Sequence, residues 1–575
     1  MKRVLIVVFL MLIIIPLKSQ NLLPIKWKFS TGDNPEWATA DFNDKEWNEI
    51  LPGTIWEDQG YSNYDGFAWY RTSVIIPSSL KKEASKNGGF MLKLGKIDDS
   101  DYTYFNGTFI GKTGELPPGY SGAYDADRIY KIGTDKILWD QPNILAIRVY
   151  DNGGGGGIYS APVSFSVIGT SDLLDLRIAF REKDHILKGG SDVIVPVILS
   201  NSSREKLKGS ITLSVKSDFK EEVADNTQPF EVAGKSEKRI NFTLKKVSPG
   251  FYNGNINLSS QNANKVERFS FGVDPENVAS PPDPQADFEN YWIRARRELD
   301  AVDPQFRIAK IDSLSTEKNY VYLVEMRSLG NILIRGWYIT PAAAGKYPAI
   351  LKVQGYSTDQ QASWGYFADD AISFVLNIRG HGNSRDNVNP GFPGYLQYNL
   401  SDKELYIYRG AYMDCVRAVD FLCSRPEVDA SRIAVEGGSQ GGALSFATAA
   451  LDKRIVASAP DVPFLSDFRH YFEVADWPAN EFSDYVKSHS ETSWDKIFYV
   501  LSYIDIKNLA PRISCPVLMQ VGLLDTTCPP HINFAAYNNL KFRKEYVVYP
   551  ESGHGLPSEA EAYKRKWLRN QLALQ

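Results

Sequence analysis

The chemistry in this sequence gathers around one serine. Gly437-Gly438-Ser439-Gln440-Gly441-Gly442 follows an apolar run, Arg432–Glu436, and precedes a small-residue helical run, Ala443–Ala450. A serine between strand and helix, with glycine two residues before and two after, is the pattern of a nucleophile elbow. The tight turn lifts Oγ out of the chain, and the glycines keep side chains from clashing there. The N-terminus of the following helix favours negative charge beside it. A serine hydroxyl is a weak nucleophile near neutrality, so it needs a base to take its proton and an acid to orient that base. In strand–turn–helix hydrolases these follow in the order Ser, Asp or Glu, His. Asp525 ends Gly522-Leu523-Leu524-Asp525 after the run Pro516–Val521, and His554 sits in Gly553-His554-Gly555 after Glu545–Tyr549. Both follow predicted strands, where a parallel sheet presents its working residues. The other histidines fit less well. His381 precedes the serine, His470 and His489 lie in a segment expected to cap the pocket, His531 opens a helix, and His185 is expected at the surface. An oxyanion hole needs two backbone N–H groups. Gln440 offers one, and the loop Gln354-Gly355-Tyr356-Ser357 offers the other, with Tyr356 preferred over Gly355. This chemistry requires no metal and no cofactor.

The elements that must position these residues alternate. Tyr347–Val353, Ala371–Ile378, Arg432–Glu436, Ile455–Ala459, Pro516–Val521 and Glu545–Tyr549 read as buried strands. Tyr408–Cys423 reads as a helix with Tyr412, Val416, Val419 and Cys423 on one face, and Phe288, Trp292, Ala295 and Leu299 mark another. Strands alternating with helices imply a parallel sheet flanked by helices. Asp461–Ser502, with Phe468, Tyr471, Phe472, Trp477 and Phe482, is the expected cap.

Upstream the period changes. The proline-rich stretch Val278–Pro284 is a linker, because its prolines suit neither a helix nor a central strand. Two all-β regions precede it, at residues 20–170 and 171–274, leaving 275–575 for the alternating domain. In the first, Asn106-Gly107 between two apolar runs predicts a tight hairpin. Gly153 to Gly157 reads as a flexible loop. In the second, Ser191–Leu199, Gly209–Val215, Arg239–Leu244 and Val266–Gly272 alternate evenly, as in a small immunoglobulin-like sandwich. At the start, Lys2 and Arg3 precede the apolar run Val4–Leu17, with small Ser19 beyond it. That is the pattern of an export signal over residues 1–19, and the run is too short to span a bilayer. A secreted or periplasmic protein follows as the expectation, with no membrane span.

The 575 residues are 43% hydrophobic and 23% charged, which supports several packed cores. A net charge of −5 argues against a nucleic-acid partner. Four cysteines are too few for a disulfide scaffold. Cys415 and Cys423 on one helix lie ~12 Å apart along its axis, too far to bond. Their spacing with Cys515 and Cys528 matches no zinc site.

Longer stretches carry a resemblance. Val353–Tyr356, Asn377–Gly382, Tyr408–Asp414, Gly437–Gly442, Ala459–Phe464 and Asp525–Pro530, with Phe534–Asn538 behind, resemble carbohydrate esterase family 7. That group comprises acetyl xylan esterases and cephalosporin C deacetylases. The resemblance implies an α/β-hydrolase that deacetylates small acetylated sugars. Ser439 would be the nucleophile, Asp525 the orienting acid and His554 the base, with Tyr356 and Gln440 forming the oxyanion hole. His381 stands where the family has Gln, and Gly555 where it has Glu after the histidine. Both departures bear on substrate more than on chemistry. Trp69–Arg71, Gly95–Asp101 and Tyr104–Gly107 resemble the galactose-binding-like jelly roll at the front of family 2 glycoside hydrolases. The expectation is thus a multidomain chain, jelly roll, immunoglobulin-like sandwich and α/β-hydrolase, acting as a carbohydrate O-acetylesterase on plant-type poly- or oligosaccharides. Two alternatives are a prolyl oligopeptidase-like serine peptidase and a sugar-binding surface protein with a vestigial hydrolase domain. The first would need propeller repeats, and none is visible.

Overall fold

In a computed structural model, residues 21–62, 64–260, 263–362 and 369–574 are described. The segment read as an export signal lies outside them. Among the described residues no helix is long and apolar enough to cross a membrane.

The front of the chain is all β, as its alternating runs require. A six-stranded sheet centred on Gly66–Ile75 and Pro142–Asp151 faces a smaller one built on Phe90–Asp98. Trp27, Phe29, Trp56, Tyr70 and Phe165 pack between them. Asn106 and Gly107 both take positive φ, at 49° and 75°, and join Ser100–Phe105 to Thr108–Thr113 as a tight hairpin. The five-glycine segment is a loose loop only over its first half. Gly153 and Gly154 are exposed with open space around them, but a Cβ on Gly156 would stand 2.2 Å from the Trp56 ring, so the second half of the run is pressed against the core. A second pair of sheets follows, of three and five strands, around Val195, Val197, Ile211, Leu213 and Phe271. His185 is half-buried here rather than on the surface, with Nδ1 3.2 Å from the Ser270 carbonyl.

The linker is docked along its length. Asn538 donates to the Pro275 and Val278 carbonyls, Asn539 donates to Ser280, and Asp283 N–H donates to Asn508. Extended, proline-rich backbone cannot bond to itself, so side chains of the last domain satisfy it instead.

The last region is built on nine strands. They are β1 (Arg307–Lys310), β2 (Asn319–Ser328), β3 (Ile332–Pro341), β4 (Tyr347–Lys352), β5 (Ile372–Asn377), β6 (Val428–Gly438), β7 (Ile455–Asp461), β8 (Val517–Gly522) and β9 (Lys544–Tyr549). Their order is β1-β2-β3-β5-β4-β6-β7-β8-β9. The six strands from β4 onward are parallel, as their apolar runs predict. The first three extend the sheet antiparallel, so it is mixed rather than purely parallel. All six residues of β5 and of β8 are buried, because helices cover both faces. On one face lie α1 (Phe288–Asp300), α2 (Ile407–Cys423) and α3 (Gln440–Leu451), against Ala349, Leu351 and Val435. Trp567 and Leu568 of a C-terminal helix, Ser558–Gln571, cover Ile350, Ala434 and Leu518 on the other. Between β7 and β8, in the segment expected to cap the pocket, stand the short helices α4 (Phe468–Val474), α5 (Ala479–Ser488) and α6 (Trp494–Ile504).

Lys564 on the C-terminal helix carries a buried charge into the sheet. Its Nζ lies 2.7 Å from Asp461 and 3.5 Å from Glu436, at the C-terminal ends of β7 and β6. Lys564→Met would leave Asp461 with only the Gln520 amide and Glu436 with only Lys352, 3.5 Å away. The expected loss is up to about 3–5 kcal/mol, read as a lower urea midpoint for this last region.

Candidate active site

Ser439 sits between β6 and α3 with φ 59° and ψ −120°, a conformation non-glycine residues rarely adopt. Three backbone bonds hold it there. Its N–H donates to Asp461 O, and its carbonyl accepts from Ala443 and Phe464. The glycines are required by crowding. A Cβ on Gly437 would lie 2.6 Å from the Val353 carbonyl oxygen, and one on Gly441 only 2.5 Å from it.

Asp525 follows β8 and its side chain is fully buried. Its Oδ1 accepts from the N–H groups of Thr527 and Cys528, both at 2.9 Å. Its Oδ2 lies 2.8 Å from His554 Nδ1. His554, one-third exposed on the loop after β9, shares a cavity of about 280 Å³ with Ser439, Val462, Leu556 and Pro557. The three predicted residues therefore meet at the C-terminal edge of the sheet. This arrangement can hold the imidazole in one tautomer, with Nε2 free to serve as a base toward the serine. The Ser439 hydroxyl lies 4.0 Å from the buried thiol of Cys528, a member of the Asp525–Pro530 stretch to which sequence alone assigns no role.

The loop that carries Tyr356 adjoins Gln440. Gln440 is the first residue of α3, so its N–H has no acceptor within the helix. Its side chain ties the neighbouring loop in place. Tyr408 Oη donates to Oε1 at 2.6 Å, and Nε2 faces the carbonyls of Gln354 and Gly355 at 3.4 and 3.3 Å. Tyr356 is anchored through its ring. Its hydroxyl donates to both oxygens of Glu481, a buried cap residue whose carboxyl is pushed up by burial. Glu481 was invisible to sequence reasoning, since nothing local marks a glutamate that pairs 125 positions away.

His381 lies beneath this loop, fully buried. Its Nε2 is 3.3 Å from Gln440 Nε2, and its ring packs edge-on against Tyr395 and Phe392. It thus supports, through Gln440, the loop after β4 that carries Tyr356. Gly555 opens a gap at the rim. The hydroxyl of half-exposed Tyr124, from the first β region, lies 4.0 Å from where a Cβ on Gly555 would stand.

Comparison with known proteins agrees with this geometry. The family model for acetyl xylan esterase (AXE1) matches residues 279–571, just over half the chain. The chain belongs to that family. It is a carboxylic ester hydrolase that deacetylates carbohydrate. An acetyl esterase, Axe7A, of Xylanibacter ruminicola is 29% identical over 344 residues, covering 57% of this chain and 76% of its own. The solved acetyl xylan esterase from Paenibacillus sp. R4 is 31% identical, covering 52% of this chain and 98% of its own, with a TM-score of 0.50. Beta-galactosidase BoGH2A of Bacteroides ovatus is 26% identical over 136 residues, 21% of this chain and 14% of its own.

Burial drops the His381 pKa to about 4, against an ordinary histidine near 6.5. Between those values the unfolded chain binds a proton that the folded chain refuses. The stability that neutral His381 carries is therefore complete above pH 6.5 and fades as pH falls toward 4, by up to about 3 kcal/mol. His381→Gln should flatten this part of the profile, measured as unfolding midpoint between pH 4 and 6.5.

Proposed function

We propose that the protein is an exported serine esterase that uses Ser439, His554 and Asp525 to remove acetyl groups from poly- or oligosaccharides of plant type. The observation that carries this reading is the strained Ser439 sharing a cavity with His554, whose Nδ1 stands 2.8 Å from fully buried Asp525. His554 takes the Ser439 proton as Oγ attacks the acetyl carbonyl. The N–H groups of Gln440 and Tyr356 receive the developing oxyanion. His554 then returns the proton to the departing sugar hydroxyl, and water releases acetate by the same base. The Ser439 φ/ψ aims Oγ outward, and Asp525 stabilises the imidazolium as it forms.

The remaining parts support a polymeric or oligomeric substrate. We assign residues 1–19 to an export signal, 20–170 to a galactose-binding-like jelly roll, 171–274 to an immunoglobulin-like sandwich and 275–575 to the hydrolase. The two packed sheets of the first region, with the Asn106-Gly107 hairpin, support the jelly-roll reading. Tyr124 extends that domain to the rim beside His554, where an aromatic face suits a sugar ring beyond the acetylated one.

The test is acetate release from acetylated xylan, mannan and pectin oligosaccharides. Ser439→Ala should lose about 10⁴-fold or more in kcat. Absence of acetate from every acetylated glycan would overturn the assignment. Tyr124→Ala should raise KM for acetylated oligosaccharides by about 3–10-fold while changing phenyl acetate hydrolysis little.

A further inference from the structure

Away from the active site, three domain segments bring electron-pair donors to one buried point. His531 is the second residue of the helix Pro530–Asn538. Asp467 caps α4 and His470 lies within it. Asp218 comes from the turn between Leu207–Ser217 and Glu222–Val232 of the second β region.

His531 defines the geometry. Its side chain is 6% exposed, and its Nδ1 lies 3.0 Å from Asp218 Oδ2. A neutral imidazole that donates through Nδ1 carries a lone pair on Nε2. That Nε2 is buried and has no hydrogen-bond partner. Its neighbour is Asp467 Oδ2, 3.6 Å away, which can only accept. The same Oδ2 lies 2.8 Å from His470 Nδ1. The ligating atoms of Asp467, His470 and His531 all fall within 4.8 Å of one another. Phe219 covers the group, its ring 4.9 Å from His531 and 5.4 Å from His470.

Charge points the same way. Asp218, Asp467, Asp283 and Asp505 face this corner, four carboxylates met by two fixed cations, Lys507, 3.1 Å from Asp467 Oδ1, and Arg469, 3.5 Å from Asp283 Oδ2. With neutral imidazoles the corner is short of positive charge.

We propose that Asp467, His470 and His531 form a divalent transition-metal site of the zinc type, with Asp218 as the carboxylate that orients His531. Two imidazole nitrogens and one carboxylate oxygen are a common zinc donor set, with a fourth position left to water. Tetrahedral zinc ligands about 2.0–2.1 Å from the ion stand roughly 3.3 Å apart. The 3.6 Å pair is near that already, and half-exposed His470 can move out from 2.8 Å. A carboxylate behind a ligating imidazole fixes its tautomer and raises its basicity. Here that carboxylate belongs to another domain, so the ion would clamp the second β region onto the hydrolase. The site lies outside the ester chemistry, which needs no metal.

The test uses the untagged full chain, stripped by chelator and titrated with zinc chloride in a calorimeter, then with cobalt(II) for its visible absorption. One ion per chain is expected, with the strong absorption of four-coordinate cobalt. His470→Gln, a half-exposed position that should fold, is expected to weaken binding at least 100-fold. Asp218→Asn should weaken it about 10–100-fold. Acetylesterase turnover of phenyl acetate should persist in His470→Gln and in chelated wild type. Zinc binding that is absent, or unchanged in both variants, would overturn the proposal and leave His531 as an ion-pair partner of the two aspartates.

Discussion

The active site depends on how closely two backbones approach. The carbonyl of Val353, at the end of β4, sits against Gly437 and Gly441 on either side of Ser439. That packing leaves no space for a side chain at either glycine. It also keeps the loop after β4, with Tyr356, alongside the first residue of α3, Gln440. The strained serine and its proposed oxyanion donors are therefore consequences of one contact between adjacent strands. A strained φ of this kind costs about 1–3 kcal/mol and persists only where the surroundings over-determine it. Bonds to Asp461, Ala443 and Phe464 do that here.

Around this contact the domain is arranged as buried polar supports. Gln440 is gripped by Tyr408 and leans on His381, while Tyr356 is moored to Glu481 in the cap. Lys564 joins the ends of β6 and β7 from the opposite face. Each support is charged or polar and nearly dry, so each is costly to break and confers one geometry rather than several. The segment between β7 and β8 is thereby coupled to the loop after β4 through the Tyr356 hydroxyl. The first β region reaches the rim through Tyr124, beside a glycine where the family resemblance leads one to expect a glutamate.

Much of this was legible in the sequence because its signals are local. The elbow needs only a strand, two glycines and a helix, and the Asn106-Gly107 turn only two residues of positive φ. Asp525 and His554 were legible because strand ends are where a parallel sheet presents chemistry. What sequence did not reveal is non-local. The apolar runs that mark the sheet start at Tyr347, and the antiparallel β1–β3, half-exposed and without the continuous apolar runs of the buried parallel strands, were not among the strands read from sequence. Glu481, Lys564 and Asp218 find partners far along the chain, and no local pattern records that. His531 was read as the ordinary start of a helix, and only its burial and its two aspartates set it apart.

The central claim is that Ser439 carries the acetyl group between substrate and water. The most direct measurement is mass spectrometry of the enzyme quenched in acid during turnover of an activated acetyl ester. The account predicts the mass of one acetyl group on the peptide containing Ser439, absent from Ser439→Ala. An acetyl group on another residue, with turnover intact in Ser439→Ala, would contradict it.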